Sequence, residues 1–273
     1  MRNASNGWMG LVGIVVVLCV MAWTAPVEAT VVLEDDFDTY TDGDLNGQTA
    51  PNGQTWVQYT TYSNQVGAAY GHTGKGIASL NDWNDNGDDL ALGTTLSPSG
   101  GYDTVVLSFD AYRPVSGAWG WAVETYQQVT LRDTASGNSI AVRWRGLYNQ
   151  GSPLWDAHSI RVEGLGFTGV LDQYRAGWLN FELSVNLTTG ATQLIWDNLN
   201  NSDGATYNLG NFDTGTYAFA PDEVRIYQRR VSLPSPPGLD NLKIEMIPEP
   251  GLVAGLSILG GLALLRRKRG YRG

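Results

Sequence analysis

Between residues 30 and 247 hydrophobic side chains recur at every second position, segment after segment. Along 178–187, Leu179, Phe181, Leu183, Val185 and Leu187 fall on one face, while Asn180, Glu182, Ser184 and Asn186 fall on the other. Such a segment is a half-buried strand with antiparallel neighbours. The alternation returns with Val105, Leu107 and Phe109; with Val129 and Leu131; with Ile140, Val142 and Trp144; with Leu194 and Trp196; with Val224 and Ile226; and with Leu242, Ile244 and Met246. No window keeps a helical period over the roughly ten residues an amphipathic helix needs. Turn signals punctuate the strands: Asn46-Gly47, Asn52-Gly53, Asn86-Gly87, Ser99-Gly100, Ser116-Gly117, Ser136-Gly137, Thr189-Gly190 and Asp203-Gly204. Many short strands with one wet face, joined by glycine turns, predict an all-β protein built as an antiparallel β-sandwich. The Gly/Asn-rich stretch 198–216 is where a second domain would begin, yet the apolar strands on either side read as parts of one pair of sheets.

The two ends follow different rules. Arg2 precedes the apolar run Trp8 to Ala22, and Val27-Glu28-Ala29 is a small-x-small site. Residues 1–29 therefore read as a helical signal peptide cleaved after Ala29, with an uncleaved anchor as the alternative. At the other end, Pro248-Glu249-Pro250 is followed by an apolar stretch from Gly251 to Leu265 and then by Arg266-Arg267-Lys268-Arg269. As a helix that stretch spans about 22 Å, short of a comfortable bilayer crossing, and the basic cluster would hold its end at the cytoplasmic face.

This tail, residues 248–273, closely resembles the PEP-CTERM sorting signal of bacterial envelope proteins. The resemblance implies export across the inner membrane with transient anchoring there. It further implies recognition by an exosortase-type membrane protease, cutting near Pro248, Glu249 and Pro250, and release to the cell surface or extracellular matrix. A retained C-terminal anchor is the alternative.

Charge and cysteine content narrow the function of the core. The chain has 17 basic and 27 acidic residues over 273 positions. Residues 30–247 keep 11 basic and 25 acidic groups. So acidic a core argues against a nucleic-acid partner, because phosphate neutralisation needs clustered Lys and Arg. The one cysteine, Cys19, lies in the leader. Disulfide scaffolds, Cys-ligated zinc and a cysteine nucleophile are excluded from the core.

The opening Leu33-Glu34-Asp35-Asp36-Phe37-Asp38 with Tyr40, then Gly43-Asp44-Leu45-Asn46-Gly47-Gln48 and Trp56, resembles the first strand and loop of concanavalin A-like, LamG-type jelly rolls. The segment from Trp178 to Asp197 is similar to that family's central hairpin, and Gly238 to Ile244 to its closing strand. The resemblance implies a jelly-roll sandwich over nearly the whole core.

Catalytic signatures are sparse. His72 and His158 sit in no metal or triad motif and read as surface-loop residues. Glycosidases of the resembled fold commonly carry a Glu-x-Asp-x-x-Glu strand, and no such run occurs here. Glu124 and Glu182 are isolated carboxylates. The core is expected to be non-catalytic.

Calcium is the cofactor to consider. Asp82, Asn84, Asn86 and Asp88, with Gly87, alternate oxygen ligands as in the first half of an EF-hand loop, but the twelfth position is Gly93 rather than Glu. A solvated Asx-rich turn explains the same residues. Glu34, Asp36 and Asp240, near the two chain ends, form a second candidate for a structural ion.

Aromatic and basic residues outside the apolar faces suggest a ligand. Trp119 and Trp121 lie in a Gly-rich loop, and Trp155 follows another. Rings of this kind stack on the apolar faces of sugars. Tyr126, Arg143, Arg145 and Tyr227, with Arg132, Arg161, Arg225 and Arg229, occupy strand positions opposite the core. If they share one sheet, uronate or sulfate groups of an acidic glycan are suitable partners. The alternative is that the tryptophans cover sandwich edges and the arginines pair across strands with acids. The expected function is polysaccharide binding at the cell surface; a structural coat protein and a divergent glycan hydrolase or lyase are the competing readings.

Overall fold

The computed structural model describes residues 29–59, 64–79, 90–97, 101–113, 123–148, 159–168, 170–173, 177–200, 203–229 and 238–248. These residues form sixteen strands and no helix, and every strand pairing is antiparallel. The expected signal helix and C-terminal apolar helix lie outside the described residues. Among those that are described, no helix is long and apolar enough to cross a membrane.

With strands numbered in chain order, the first sheet has nine. It runs β14 (Gly204–Asn211), β13 (Ala191–Asn198), β12 (Gly177–Asn186), β7 (Tyr102–Arg113), β16 (Gly238–Pro248), β5 (Gly76–Ser79), β4 (Asn64–Gly67) and β2 (Gly43–Asp44), with β1 (Thr30–Asp35) also paired to β16. The second sheet has seven: β11 (Val170–Gln173), β10 (Ser159–Gly164), β9 (Ser139–Tyr148), β8 (Val123–Arg132), β15 (Glu223–Arg229), β6 (Leu90–Thr95) and β3 (Val57–Gln58). First and last strands meet in the nine-stranded sheet, and the consecutive strands β8 to β11 form one side of the other. The result is an antiparallel jelly-roll sandwich.

The alternation read from the sequence is what the sheets bury. Val105, Leu107, Phe109, Leu179, Phe181, Leu183 and Val185 from the nine-stranded sheet are 0% exposed, as are Val129, Leu131, Ile140, Val142, Val224 and Ile226 from the seven-stranded one. Phe109 joins the two layers, its ring 5.3 Å from Trp144 of β9 and 5.2 Å from Phe181 of β12. All these residues belong to one apolar cluster. Stretch 204–211 is the edge strand β14 rather than a linker, registered against β13 from Asp197↔Gly204 to Ala191↔Asn211.

The opening residues form a structural knot. Asp35 is 1% exposed and accepts from Tyr40 Oη, from Trp56 Nε1 (3.1 Å) and from the Phe37 amide (3.0 Å). Burial raises the Asp35 carboxyl above its ordinary value despite those donors. Asn46-Gly47, Asn52-Gly53, Ser136-Gly137 and Thr189-Gly190 lie in turns, as the sequence placed them, whereas Asn86-Gly87, Ser99-Gly100 and Ser116-Gly117 lie outside the described residues. Gly190 has φ +76°, and a Cβ there would stand 2.2 Å from the Phe212 carbonyl oxygen, so the β12–β13 turn requires glycine.

Candidate functional site

On β8, β9, β10 and β15 the residues between the core positions form the outer face of the seven-stranded sheet. Register aligns them in rows. Tyr227 of β15 stands opposite Gln128 of β8, Gln128 opposite Arg143 of β9, and Arg143 opposite Arg161 of β10. Neighbouring strands lie about 4.8 Å apart, so this row runs roughly 14 Å across the sheet. A parallel row places Arg225, Thr130, Ala141 and Glu163 in register, and a third places Arg229, Tyr126, Arg145 and Ser159. Arg132, Arg143, Arg161, Arg225 and Tyr227 therefore share one face, and Tyr126, Arg145 and Arg229 hold register positions on it.

Two carboxylates organise the charge. Glu163 lies 3.3 Å from Arg143 and 3.8 Å from Arg161. Glu223 receives Arg225 Nε at 2.9 Å and Arg132 Nη1 at 3.2 Å. Each carboxylate thus faces two guanidinium groups. Glu223 is 4% exposed, and Tyr59 Oη also donates to it. Burial alone would raise this carboxyl, but the bonds from Tyr59, Arg225 and Arg132 outweigh burial and hold it below its ordinary value.

Tyr59 follows β3 in the chain, and its ring lies over Arg225, 4.0 Å from the guanidinium carbon. Gly93 of β6, which pairs with both Val57 and Arg225, makes this possible. A Cβ on Gly93 would stand 3.0 Å from Tyr59 Cε2 and 2.8 Å from the Val224 carbonyl oxygen. Tyr59 remains 47% exposed, so one ring face is available beyond the stack. Sequence pattern missed Tyr59 and Glu223. The only signal was the glycine interrupting the apolar run of β6.

The remaining sequence candidates fall elsewhere. Trp119, Trp121, Trp155 and His158 lie outside the described residues, as do Asp82, Asn84, Asn86 and Asp88. Glu249, Pro250, Arg266 and Arg267 also lie outside them. Ala29 immediately precedes β1, and Pro248 ends β16 opposite Tyr102. Glu34 and Asp36 are exposed on or beside β1, whereas Asp240 is 1% exposed and accepts the amides of His72 (2.7 Å), Thr73 (3.3 Å) and Asn241 (2.8 Å). No three His, Cys, Asp or Glu side chains among the described residues converge as a metal site.

His72 is more than a surface-loop residue. Its Nδ1 lies 3.6 Å from Asp110 Oδ2, and its ring lies 5.1 Å from that of Trp178. Asp110 also accepts from Asn180 (2.7 Å) and Asn241 (2.8 Å), on the outer face of the nine-stranded sheet. The His72 and Thr73 amides bonded to Asp240, with the His72 contacts to Asp110 and Trp178, set the 67–76 loop against β16, β7 and β12.

No protein-family model and no curated protein matches the chain. Among solved structures, the CBM2 module of the evolved Dit of Lactobacillus casei BL23 phage J-1 is similar, with a TM-score of 0.54 at 11% identity over 81% of this chain and 97% of that one. The GH131 beta-glucanase catalytic domain from Podospora anserina gives a TM-score of 0.49 at 14% identity over 79% and 95% of the two chains. Lectin II from Ulex europaeus gives 0.41 at 11% identity over 74% and 93%. At such identity the likeness to the CBM2 module shows the sandwich fold alone.

Proposed function

We propose that this chain is an exported bacterial surface or matrix protein that binds a polysaccharide, without catalysis, on the outer face of its seven-stranded sheet. The observation that carries the reading is the cross-strand row Tyr227, Gln128, Arg143 and Arg161, with Tyr59 stacked on Arg225 beside it. A flat face of aromatic rings, amides and guanidinium groups suits an extended sugar chain: rings take its C–H faces, and the polar groups take its hydroxyls and substituents.

The absence of catalysis is argued from the carboxylates of this face. A glycosidase needs one carboxyl raised to act as an acid beside a second, ionised one. Glu223 is held down and enclosed by two guanidinium groups, and Glu163 faces two more. Export, transient inner-membrane contact and processing by an exosortase-type protease rest on the resemblance of residues 248–273 to the PEP-CTERM signal. Calcium is a further proposed ligand, held by Asp82, Asn84, Asn86 and Asp88.

The test is binding of the full chain, purified in mild detergent, to a polysaccharide array, with and without a calcium chelator. Saturable binding that weakens in Tyr59→Ala and Tyr227→Ala is expected. A folded protein that binds no polysaccharide would exclude the reading, and reducing-sugar release from a bound polymer would exclude its non-catalytic part. Loss of binding on chelation would support the calcium loop.

A further inference from the structure

We infer that the polysaccharide is a polyanion, and that its carboxylate or sulfate groups are taken by the guanidinium groups ranged along β8, β9, β10 and β15. This rests on the reading above and specifies the ligand's chemistry. Four of the eleven basic residues between Thr30 and Pro248 have described side chains on the outer face of these four strands, Arg132, Arg143, Arg161 and Arg225, and Arg145 and Arg229 hold register positions on the same face. The acidic residues at such positions are Glu124, Glu163 and Glu223. The same segment of chain has 25 acidic residues in all. Its sign is thus reversed on this one face.

Among the described side chains, two carboxylates serve four guanidinium groups: Glu163 is shared by Arg143 and Arg161, and Glu223 by Arg132 and Arg225. The Arg161–Glu163 contact is long at 3.8 Å, and Arg161 Nε, although buried, has no hydrogen-bond partner among the described residues. A buried donor of this kind carries a desolvation cost that an incoming anionic oxygen offsets. The Arg132, Arg143, Arg161 and Arg225 side chains are partly exposed, from 18% at Arg225 to 32% at Arg132. Glu223 holds Arg132 and Arg225, and Glu163 holds Arg143, by hydrogen bonds before a ligand arrives. The guanidinium forks suit planar carboxylates and tetrahedral sulfates alike.

Neutral sugars do not require this array. The Tyr59 and Tyr227 rings with Gln128 would serve them, whereas repeated positive charge across the strands matches a polymer with a charge on each unit.

The experiment measures binding of the full chain in mild detergent to polygalacturonate, to dextran sulfate, to uncharged dextran and to a single-stranded oligonucleotide. Salt is raised from about 0.05 M to about 0.5 M. Expected are binding of one or both charged glycans, none of dextran, and at least a tenfold loss over the salt range. Which charged glycan binds separates uronate from sulfate recognition. Arg161→Gln should weaken binding about tenfold, in line with one charge-assisted contact. Glu163→Gln frees two guanidinium groups and should strengthen it, an effect that misfolding cannot imitate. Salt-insensitive binding of dextran at equal strength would overturn the polyanion inference and leave polysaccharide binding intact. Oligonucleotide binding equal to that of the glycans would overturn glycan recognition at this site, and binding of no polymer would overturn both readings.

Discussion

Glu223 shows how one residue links stability to the candidate site. Its carboxyl is held below an ordinary value of 4.5, burial being outweighed by the bonds from Tyr59, Arg225 and Arg132. A carboxyl lowered in the fold contributes stability that is present above its unfolded value and lost as pH falls through its folded value. Asp133, held down by its turn amides, has the same sign, whereas buried Asp35 and Asp240, both raised, have the opposite one. Their ionisation costs stability as pH rises through their folded values. Glu223→Gln should therefore lower the thermal midpoint near neutral pH yet flatten its decline on acidification. Melting curves from pH about 6 to about 2 check this; a variant curve parallel to the parent's would show that the ionised group contributes nothing. Legibility at this scale was uneven. Arg143 and Tyr227 stand out because an alternation position is visible in one strand. Tyr59 does not, since its placement over Arg225 is set by a glycine in another strand.

Among elements, length decides what a sequence reveals. β7 and β12 show four core positions in alternation and β16 three, and all are readable as strands. β2 and β3 have two residues each, too few for a period, and only their partners define them. β8 and β15 contain one departure from the expected alternation. Gln127 and Gln228 occupy inward positions directly opposite each other, 2% and 0% exposed, and neither side chain has a hydrogen-bond partner among the described residues. Thr94 of β6 adds an unpartnered buried hydroxyl on the same inward face. Unmet amides in an apolar interior are costly, and replacing both by apolar groups of similar size removes the cost without stranding a partner. The double substitution Gln127→Leu and Gln228→Leu is expected to raise stability by about 1–3 kcal/mol. Urea unfolding measures it. A large loss would mean that these amides meet polar partners in the folded protein.

At the scale of the molecule, the two sheets meet through a few large side chains. Trp144 is 2% exposed and stacks on Phe181, 5.3 Å away, with Phe109 against both rings. One continuous cluster runs from Leu33 in the first strand to Met246 in the last, so neither sheet has a core of its own. The sandwich was legible because this cluster is the sum of the alternations. How far each sheet extends was not, because β1 and β16 meet only after the whole chain has folded between them. A shared core predicts cooperative loss. Trp144→Ala removes the ring at the junction of both sheets and should cost about 3–5 kcal/mol, a large share of the stability of a domain this size. Tryptophan fluorescence and far-ultraviolet dichroism should then follow one urea transition, its midpoint lowered and its slope unchanged. Two separated transitions would mean that the sheets unfold independently. In that case the arginine face, built wholly on the seven-stranded sheet, would survive loss of the other layer, and ligand binding would persist between the two midpoints. Loss of binding at the first and only midpoint is the outcome that the shared core requires.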